Sequence, residues 1–470
     1  MANFLSDCHK LVWGAPLLVL ILGVGIYLSL RLGFPQICLL PKALGSFWRK
    51  LTGEKGSGDG VSSFQALCTA LAATVGTGNL VGVAGAICLG GPGAIFWMWV
   101  CGFASMATKF AEATLAVRYR TRGRDGWRGG PMYMICQGLG WRWYPLAWLY
   151  SLFGLLAAFG VGNATQTNAV ITGVKSVLAG LGVSESMAGN LLIGGLMALL
   201  VGRLLWGGAK RIGDAAQMLV PLAAAGYLVM CAGVLLMRAN AIPGALCQIF
   251  QGAFSPRAVT GGLLGSSFQA LRIGCSRGVF TNEAGMGTAA MAHAGAQVAH
   301  PAEQGLMGIV EVFLDTIVIC TLTALVILVS GVPIPYGVDA GGTLTLQAFS
   351  SVYGGSACIL LTAALCCFAV ATVLGWGLYG VRCAQFLFGG SAWRGFALIQ
   401  AGTVLLSAAA DTGLVWQLSE IVNGLMAIPN LIALAVLSPE LVRLTKDYKK
   451  TGILDASGGK YANFHQCKPL

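Results

Sequence analysis

Charge is what this chain lacks most. Only 10% of its 470 residues are Asp, Glu, Lys or Arg, against a soluble norm of about 25%. So little charge cannot cover a water-facing surface, which excludes an ordinary soluble domain. Other absences narrow the chemistry. No GxxxxGK[ST] loop is present, so no P-loop site for ATP is available. The 15 cysteines contain no CxxC pair with zinc spacing. With only four histidines, His293 and His300 are too scattered to form a metal site, and no convergent His/Ser/Asp set marks an enzyme.

What is abundant is apolar. Hydrophobic residues make up 56% of the chain and the mean hydropathy is +0.76. Glycine, at 68 residues, suits transmembrane helices that approach closely. Cysteines inside apolar runs (Cys101, Cys320, Cys366, Cys367) read as small packing residues. Runs of about 18 or more apolar residues mark membrane spans, and eleven are expected, near 11–30, 64–89, 92–117, 146–172, 188–206, 213–237, 261–298, 305–330, 355–381, 393–410 and 414–437. The first is too long for a signal peptide and lacks a clean cleavage site, so it reads as an uncleaved helix.

Basic residues give the orientation, because Lys and Arg favour cytoplasmic loops. Alternate loops, starting after the first helix, hold 22 of the 29 basic residues, and the opposite loops hold Lys10, Lys175, Arg238 and Arg257. The amino terminus is therefore expected outside and the carboxyl terminus inside. The net charge of +12 is a topology signal, and no nucleic-acid partner is expected.

Two apolar runs are interrupted. Gly76-Thr77-Gly78-Asn79 breaks the run at 64–89, and Phe280-Thr281-Asn282-Glu283-Ala284-Gly285-Met286-Gly287 breaks another about two hundred residues later. Non-helical backbone at membrane depth is tolerated only where protein buries it or a polar cavity adjoins it. Paired breaks in two halves point to the substrate site of a secondary transporter. Without the first helix, ten spans divide five and five, and the broken helices have opposite polarity, as an inverted repeat requires. The expected units are an extra helix at 11–30, repeats at 64–237 and 261–437, and a tail at 438–470. The linker between repeats runs from Arg238 to Thr260, with Pro243 and Pro256.

At the first break, Gly76 and Gly78 permit unusual backbone angles, while Thr77 and Asn79 supply side-chain oxygens. The freed helix ends suit a carboxylate at one side and a cation at the other. Gly78, Gly82 and Gly85 could instead form an unbroken packing face. At the second break, Glu283 is an ionisable group in an apolar run, a functional candidate by default. It could bind an ion, carry a proton or meet a substrate ammonium; it could also pair with Arg272 or Arg277, or cap the following half-helix. Lys109 and Glu112, three apart, can bridge each other. Gln166 and Asn168 could face the site or join helices. Asp315, four after Glu311, favours interior packing. Glu420 and Asn423 are equally open. The Thr372 hydroxyl could serve a cation or its own i−4 carbonyl.

Six ordered blocks carry a family resemblance: GTGNLVGVAGAICLGGPGAIFWMWV, KFAEATLAVRYR, GRDGWRGGPMYMI, SRGVFTNEAGMG, GWGLYGVRCAQFLFG and NGLMAIPNLIAL. Together, from about 64 to 437, they resemble the alanine/glycine:cation symporter family. That resemblance implies an all-α integral membrane protein of about eleven transmembrane helices. Its fold would be the leucine-transporter-type 5+5 inverted repeat, with one extra N-terminal helix and two broken helices. It implies Na⁺-coupled (or H⁺-coupled) symport of small neutral amino acids, chiefly alanine and glycine, across a plasma membrane, the inner membrane in a bacterium.

Carried over by position, the expected substrate contacts are Gly76, Thr77, Gly78, Asn79, Gln166, Phe280, Thr281, Asn282, Glu283 and Trp376. The expected cation ligands are Gly76, Asn79 and Thr372. Three departures stand out. The family usually reads Phe-Ser-Thr-Ile-Leu-Gly-Trp where this chain has Ala369 to Trp376, so a hydroxyl is missing at Ala371. Ala290 stands for a usual Pro, and Glu420 for a usual Asp. The expected mechanism is alternating access around a mid-membrane site, with no cofactor beyond the co-transported ion. The carboxylate would lie near Gly76 to Asn79 and the ammonium at the second break, with Trp376 and Phe280 capping a small pocket. A passive channel or facilitator, and a membrane-embedded enzyme, are the alternatives.

Overall fold

Ten of the eleven expected runs become a helix or a pair of half-helices that covers most of the run, and the eleventh (261–298) is helical only in part. The protein is described here from a computed structural model covering residues 7–455 except 10, 53–59, 124–125, 181, 183–185, 255–266, 339–340 and 410–412. Lys10, Lys55, Arg124, Arg257, Lys460, Lys468, Pro256 and the start of the 261–298 run lie outside the described residues. Helix α1 (Ala15–Leu32) begins on Pro16 and stops at Gly33, whose positive φ of 69° closes the last turn onto Leu30 and Ser29. An amphipathic helix, α2 (Leu40–Thr52), follows. The first broken span is α3 (Ser63–Thr74), a π turn at Gly78–Gly82, and α4 (Val83–Gly90), bent by 51°. Ser62 and Gln65 start α3 with a reciprocal capping box.

Next come α5 (Gly93–Arg118), α6 (Tyr144–Phe159) continuing through a π turn at Gly160–Ala164 into α7 (Thr165–Gly180), α8 (Met187–Leu205) and α9 (Gly208–Met237). After α10 (Ile242–Phe254), the second half opens with α11 (Ser267–Asn282), a break, and the six-residue α12 (Thr288–His293). Then α13 (Pro301–Val312) runs through a π stretch at Phe313–Cys320 into α14 (Thr321–Val329). The chain ends with α15 (Gly341–Tyr353), α16 (Ser356–Phe388), α17 (Trp393–Ser407), α18 (Gly413–Val436) and α19 (Ser438–Asp455). Among the described residues, eight helices are long and apolar enough to cross a membrane, and the bent α3–α4 pair makes a ninth. The second break and the 15-residue α17 account for the other two expected runs.

Four helices lie where spans were not expected. The linker holds α10, the tail begins as α19 with Leu441, Leu444 and Tyr448 buried, and α2 and α15 occupy presumed loops. Tail and linker are therefore packed structure over these stretches.

Packing repeats with a shift of five spans. Helix α5 packs on α13, α6 and α7 on α16, and α8 on α17, each against its counterpart; α9 on α16 is mirrored by α18 on α6. Small residues allow the close contacts at α5. A Cβ at Gly308 of α13 would lie 2.6 Å from the Lys109 carbonyl oxygen, and one at Gly274 of α11 would lie 2.3 Å from that of Ala94. Helix α5 is thus the post against which both broken elements of the second half are set.

Candidate functional site

Helix α3 ends because Val75 turns extended (φ −76°, ψ 106°). The freed Gly76 amide donates to Asn79 Oδ1 at 3.0 Å, and Asn79 Nδ2 donates to Asp315 Oδ1 at 2.8 Å and to its carbonyl at 3.2 Å. Asn79 thus ties the first break to the π stretch after α13. Asp315 is buried, as expected, and accepts from this asparagine and, at its other oxygen, from Thr316 Oγ1 at 3.0 Å.

The second break turns through three positive φ angles: Glu283 at 52°, Gly285 at 90° and Gly287 at 76°. The Glu112 carboxylate anchors it, with Oε1 accepting from the amides of Gly285 (2.9 Å) and Gly287 (3.1 Å) and from Asn430 Nδ2 (2.7 Å). Glu112 therefore does not bridge Lys109. Lys109 instead reaches across to Glu311 at 2.8 Å, because Gly308 lets α13 come against it. Glu283 Oε2 accepts from Thr288 Oγ1 at 2.7 Å, in the first turn of α12, a bond between side chains that leaves the backbone of that helix start uncapped.

Between the breaks is a cavity of about 30 Å³ lined by Ala73, Thr74, Gly76, Thr77, Gly78, Val161, Thr165, Gln166, Phe280, Glu283, Thr372, Trp376, Glu420 and Asn423. About two waters fill such a space. Of the residues singled out from sequence, Gly76, Thr77, Gly78, Gln166, Phe280, Glu283, Thr372 and Trp376 meet here. Asn79, Thr281 and Asn282 do not line it: Thr281 Oγ1 donates to Gly278, and Asn282 binds the Ala284 amide and Thr316. Asn168 lines a separate cleft beside Thr172 and Thr345. Glu420 and Asn423, left open by the sequence, face the cavity. Val161 and Thr165 were not foreseen; their signal was Gly160-Val161-Gly162, whose π turn admits Trp376. A Cβ at Gly162 would lie 2.3 Å from Trp376 Cβ.

Three buried polar atoms of the lining have no hydrogen-bond partner among the described residues: Gln166 Oε1, Asn423 Oδ1 and Trp376 Nε1. Buried polar groups are rarely left unpaired, so two acceptors and one donor await a polar ligand. At the carboxyl end of α3, Thr372 Oγ1 is 2.9 Å from the Ala72 carbonyl and 2.9 Å from Phe368 O. A Cβ at Gly76 would lie 3.1 Å from the same hydroxyl. Two oxygens at a negative helix end fit part of the shell of a hard cation. The oxygen of Asn79 is already used by the Gly76 amide.

Comparison with known proteins agrees with this architecture. Residues 1–459 match the sodium:alanine symporter family. An uncharacterized transporter of Haemophilus influenzae is 44% identical over 450 residues, covering 95% of this chain and 96% of that protein. The sodium/alanine symporter AgcS of Methanococcus maripaludis is 42% identical over 455 residues, covering 95% and 97%. The crystal structure of MhsT in complex with L-phenylalanine superposes with a TM-score of 0.56 at 12% identity, covering 83% of this chain and 99% of that one. The chain belongs to the sodium:alanine symporter family. It is a membrane transporter, not an enzyme, with the leucine-transporter-type fold of two five-helix repeats and an extra first helix.

Proposed function

We propose that this member of the family is a secondary active transporter that couples Na⁺ entry to uptake of a small neutral amino acid of the alanine and glycine class. The observation that carries the reading is the cavity, where two helix breaks meet three unpaired buried polar atoms in about 30 Å³. A zwitterion has the complementary groups. Its carboxylate accepts from Trp376 Nε1 and the break at Thr77 and Gly78, the Gly76 amide being taken by Asn79, and its ammonium donates to Gln166 Oε1, Asn423 Oδ1 and the carboxyl of Glu283. Even alanine, with more heavy atoms than the two waters this space takes, requires the breaks to part somewhat, and longer side chains would have to displace Trp376 or Phe280 as well. Asn79, Thr281 and Asn282 act behind the wall, holding the breaks in shape.

The cation is held by the Ala72 carbonyl, the Thr372 hydroxyl and backbone oxygen near Gly76, and its charge supplies about 2.3 kcal/mol per 100 mV on crossing inward. The amino terminus lies outside and the end bearing α2 and α19 faces the cytoplasm, with repeats at 64–237 and 261–437. Because Glu283 and Glu420 put carboxyl groups on the same cavity, a proton is the competing coupling ion. Counterflow and gradient-driven uptake of labelled alanine in proteoliposomes test both. Uptake driven by a sodium gradient at fixed pH is expected; uptake driven by a pH gradient alone replaces Na⁺ with H⁺, and equilibration with neither makes the protein a facilitator.

A further inference from the structure

At the end of the molecule that bears α2 and α19, the basic residues fall into two sectors. In one, carboxylates meet them. Arg118 Nε lies 3.0 Å and Arg443 Nη2 2.7 Å from Glu440 Oε1, and the charges of Lys42 and Lys50 reach Glu303. In the other, around the ends of α8 and α16 and the starts of α9 and α17, they are not met. Among the described residues, Arg122, Arg203, Lys210 and Arg394 have no ion-pair partner. Asp214, one turn past Lys210 on α9, accepts from Gln65 Nε2 at 2.7 Å instead. A bias of Lys and Arg toward the inner side accounts for their number. It does not account for one sector lacking counter-charges.

The unmatched sector is built around a groove. After α5 the chain forms a two-stranded hairpin, Thr121–Gly123 against Gly126–Arg128; Arg124 and Asp125, between the strands, lie outside the described residues. Arg382 of α16 donates to the Trp127 carbonyl at 3.2 Å and holds the hairpin against that helix. Gly389, at φ 91°, then ends α16. The turn to α17 passes so close that a Cβ at Gly390 would lie 3.5 Å from Arg128 Nη1. Between hairpin and turn is an open groove of about 780 Å³, lined by Arg122, Arg128, Ser391, Trp393 and Arg394, with no Asp or Glu among the described residues. Arg122 also lines an adjoining pocket of about 310 Å³ together with Lys210 and Arg382. The first turn of α17 belongs to the groove wall and has no side-chain cap. The positive end of a 15-residue helix thus adds to the guanidinium groups.

Such a groove takes an anion, and its surroundings say which kind. Guanidinium groups bind phosphate oxygens through paired hydrogen bonds, and basic pockets between helices on the cytoplasmic side suit phospholipid headgroups. Trp393 meets Trp206, at the end of α8, edge to face at 5.5 Å, and such rings sit at the level of lipid headgroups. Leu398 and Leu405 follow Arg394 by four and eleven residues and therefore share its face of α17. They are 63% and 40% exposed. Eleven residues of helix cover about 16 Å, close to the acyl depth of one leaflet of a core about 30 Å thick. A cationic mouth thus continues into an exposed apolar strip as long as a lipid chain.

We infer that this groove is a binding site for an anionic phospholipid, its phosphate held by Arg122 and Arg394 with Arg128 alongside, and its chains laid along Leu398 and Leu405. The site goes beyond the transport reading. It uses the proposed orientation only to say which leaflet supplies the lipid, the cytoplasmic one.

Native mass spectrometry of the full chain in detergent, titrated with phosphatidylglycerol or with phosphatidylcholine of the same chains, counts bound lipid directly. Phosphatidylglycerol should be the better retained. Arg122→Gln and Arg394→Gln, both at exposed positions, should each weaken its binding about fivefold, the effect of one basic residue near an anionic lipid surface. Arg443→Gln, in the matched sector, should leave it unchanged, and Leu398→Asn should weaken both lipids. Equal retention of the two lipids by the wild type, or an equal loss in Arg443→Gln, reduces the cluster to a topology signal and overturns the site. Displacement of the lipid by inorganic phosphate, or full retention in Leu398→Asn, makes it a pocket for free phosphate and overturns the lipid assignment. The wild-type comparison of lipids and the phosphate competition hold whether or not every variant folds. Alanine counterflow is scored separately: its absence with normal phosphatidylglycerol retention overturns the transport reading and not this site.

Discussion

The two breaks solve one problem by opposite means. The first is built from backbone and neutral side chains: Gly76, Gly78 and an asparagine that returns the Gly76 amide bond within three residues. The second is strained and charged. A non-glycine residue at φ 52° costs about 1–3 kcal/mol, and it persists because Glu112 gathers two loop amides and Asn430 on one buried oxygen. The first break can change shape by exchanging the few hydrogen bonds of Asn79, one of them to the Asp315 carboxyl. The second is fixed to α5 and α18 and serves as the stationary wall. Damage to the second should therefore appear as instability, and damage to the first as lost transport.

The largest effect tests the fixed wall. Glu112→Ala takes the acceptor from three N–H groups in the bundle and should cost about 3 kcal/mol or more, at about 1–3 kcal/mol for each buried donor left unsatisfied. Thermal unfolding in detergent should show it, with Glu112→Gln in between because one acceptor oxygen remains. A normal melting temperature for Glu112→Ala would end the contrast. Gly78→Leu tests the other side. A Cβ there already lies 3.2 Å from Thr281 Cγ2, where the two breaks touch, so a leucine should abolish alanine uptake. Membrane insertion and melting should stay near normal. Wild-type uptake by the inserted variant would remove the first break from the site.

That contrast was only partly legible in the sequence. Broken spans announce themselves because Gly, Thr and Asn in an apolar run have few structural uses. The direction of each polar side chain does not. Asn79, Thr281 and Asn282 look like ligands, yet a break must bond its own backbone, and short polar side chains within it do that. Lys109 and Glu112 sit three apart, an obvious pair along one helix; only the approach of Gly308 turns Lys109 to Glu311 and leaves Glu112 for the loop. Helices α2, α10, α15 and α19 were missed because each is shorter or more polar than a span, so no long apolar run marks it. What the sequence conveyed well was the order of the hydrophobic segments, ten of which become helices or half-helices along most of their length.

Two intermediate effects sharpen the picture at the cavity. Thr372→Ala removes the hydroxyl that faces the Ala72 carbonyl and should nearly eliminate sodium dependence of uptake, because the end of α3 then loses its partner across the bundle. Unaltered sodium activation would put the cation elsewhere. Trp376→Ala opens the wall over Gly162 and should let valine or leucine compete with alanine, since one or two methylenes are worth about 1–3 kcal/mol in such a pocket. An unchanged inhibitor profile would make Trp376 ordinary packing.

The smallest expected effect lies one residue earlier. Ala371 is fully buried beside Thr372 on α16, at the position where the family resemblance implies a serine. A hard cation is held by several oxygens, and the oxygens in view here are the Ala72 carbonyl, the Thr372 hydroxyl and the backbone by Gly76. One oxygen fewer weakens such a cage without dissolving it, because carbonyls from the first break remain. Ala371→Ser adds a hydroxyl without adding much volume, so it should tighten apparent sodium affinity a few-fold while leaving the alanine maximum rate and the melting temperature alone. The titration has to be run at fixed pH and membrane potential, so that proton drive is not read as sodium drive. If the serine leaves the sodium curve where it was and a pH gradient alone supports uptake, the movable first break holds no sodium. The coupling charge would then belong to the rigid side, at Glu283, and the division of labour between the two breaks would be reversed.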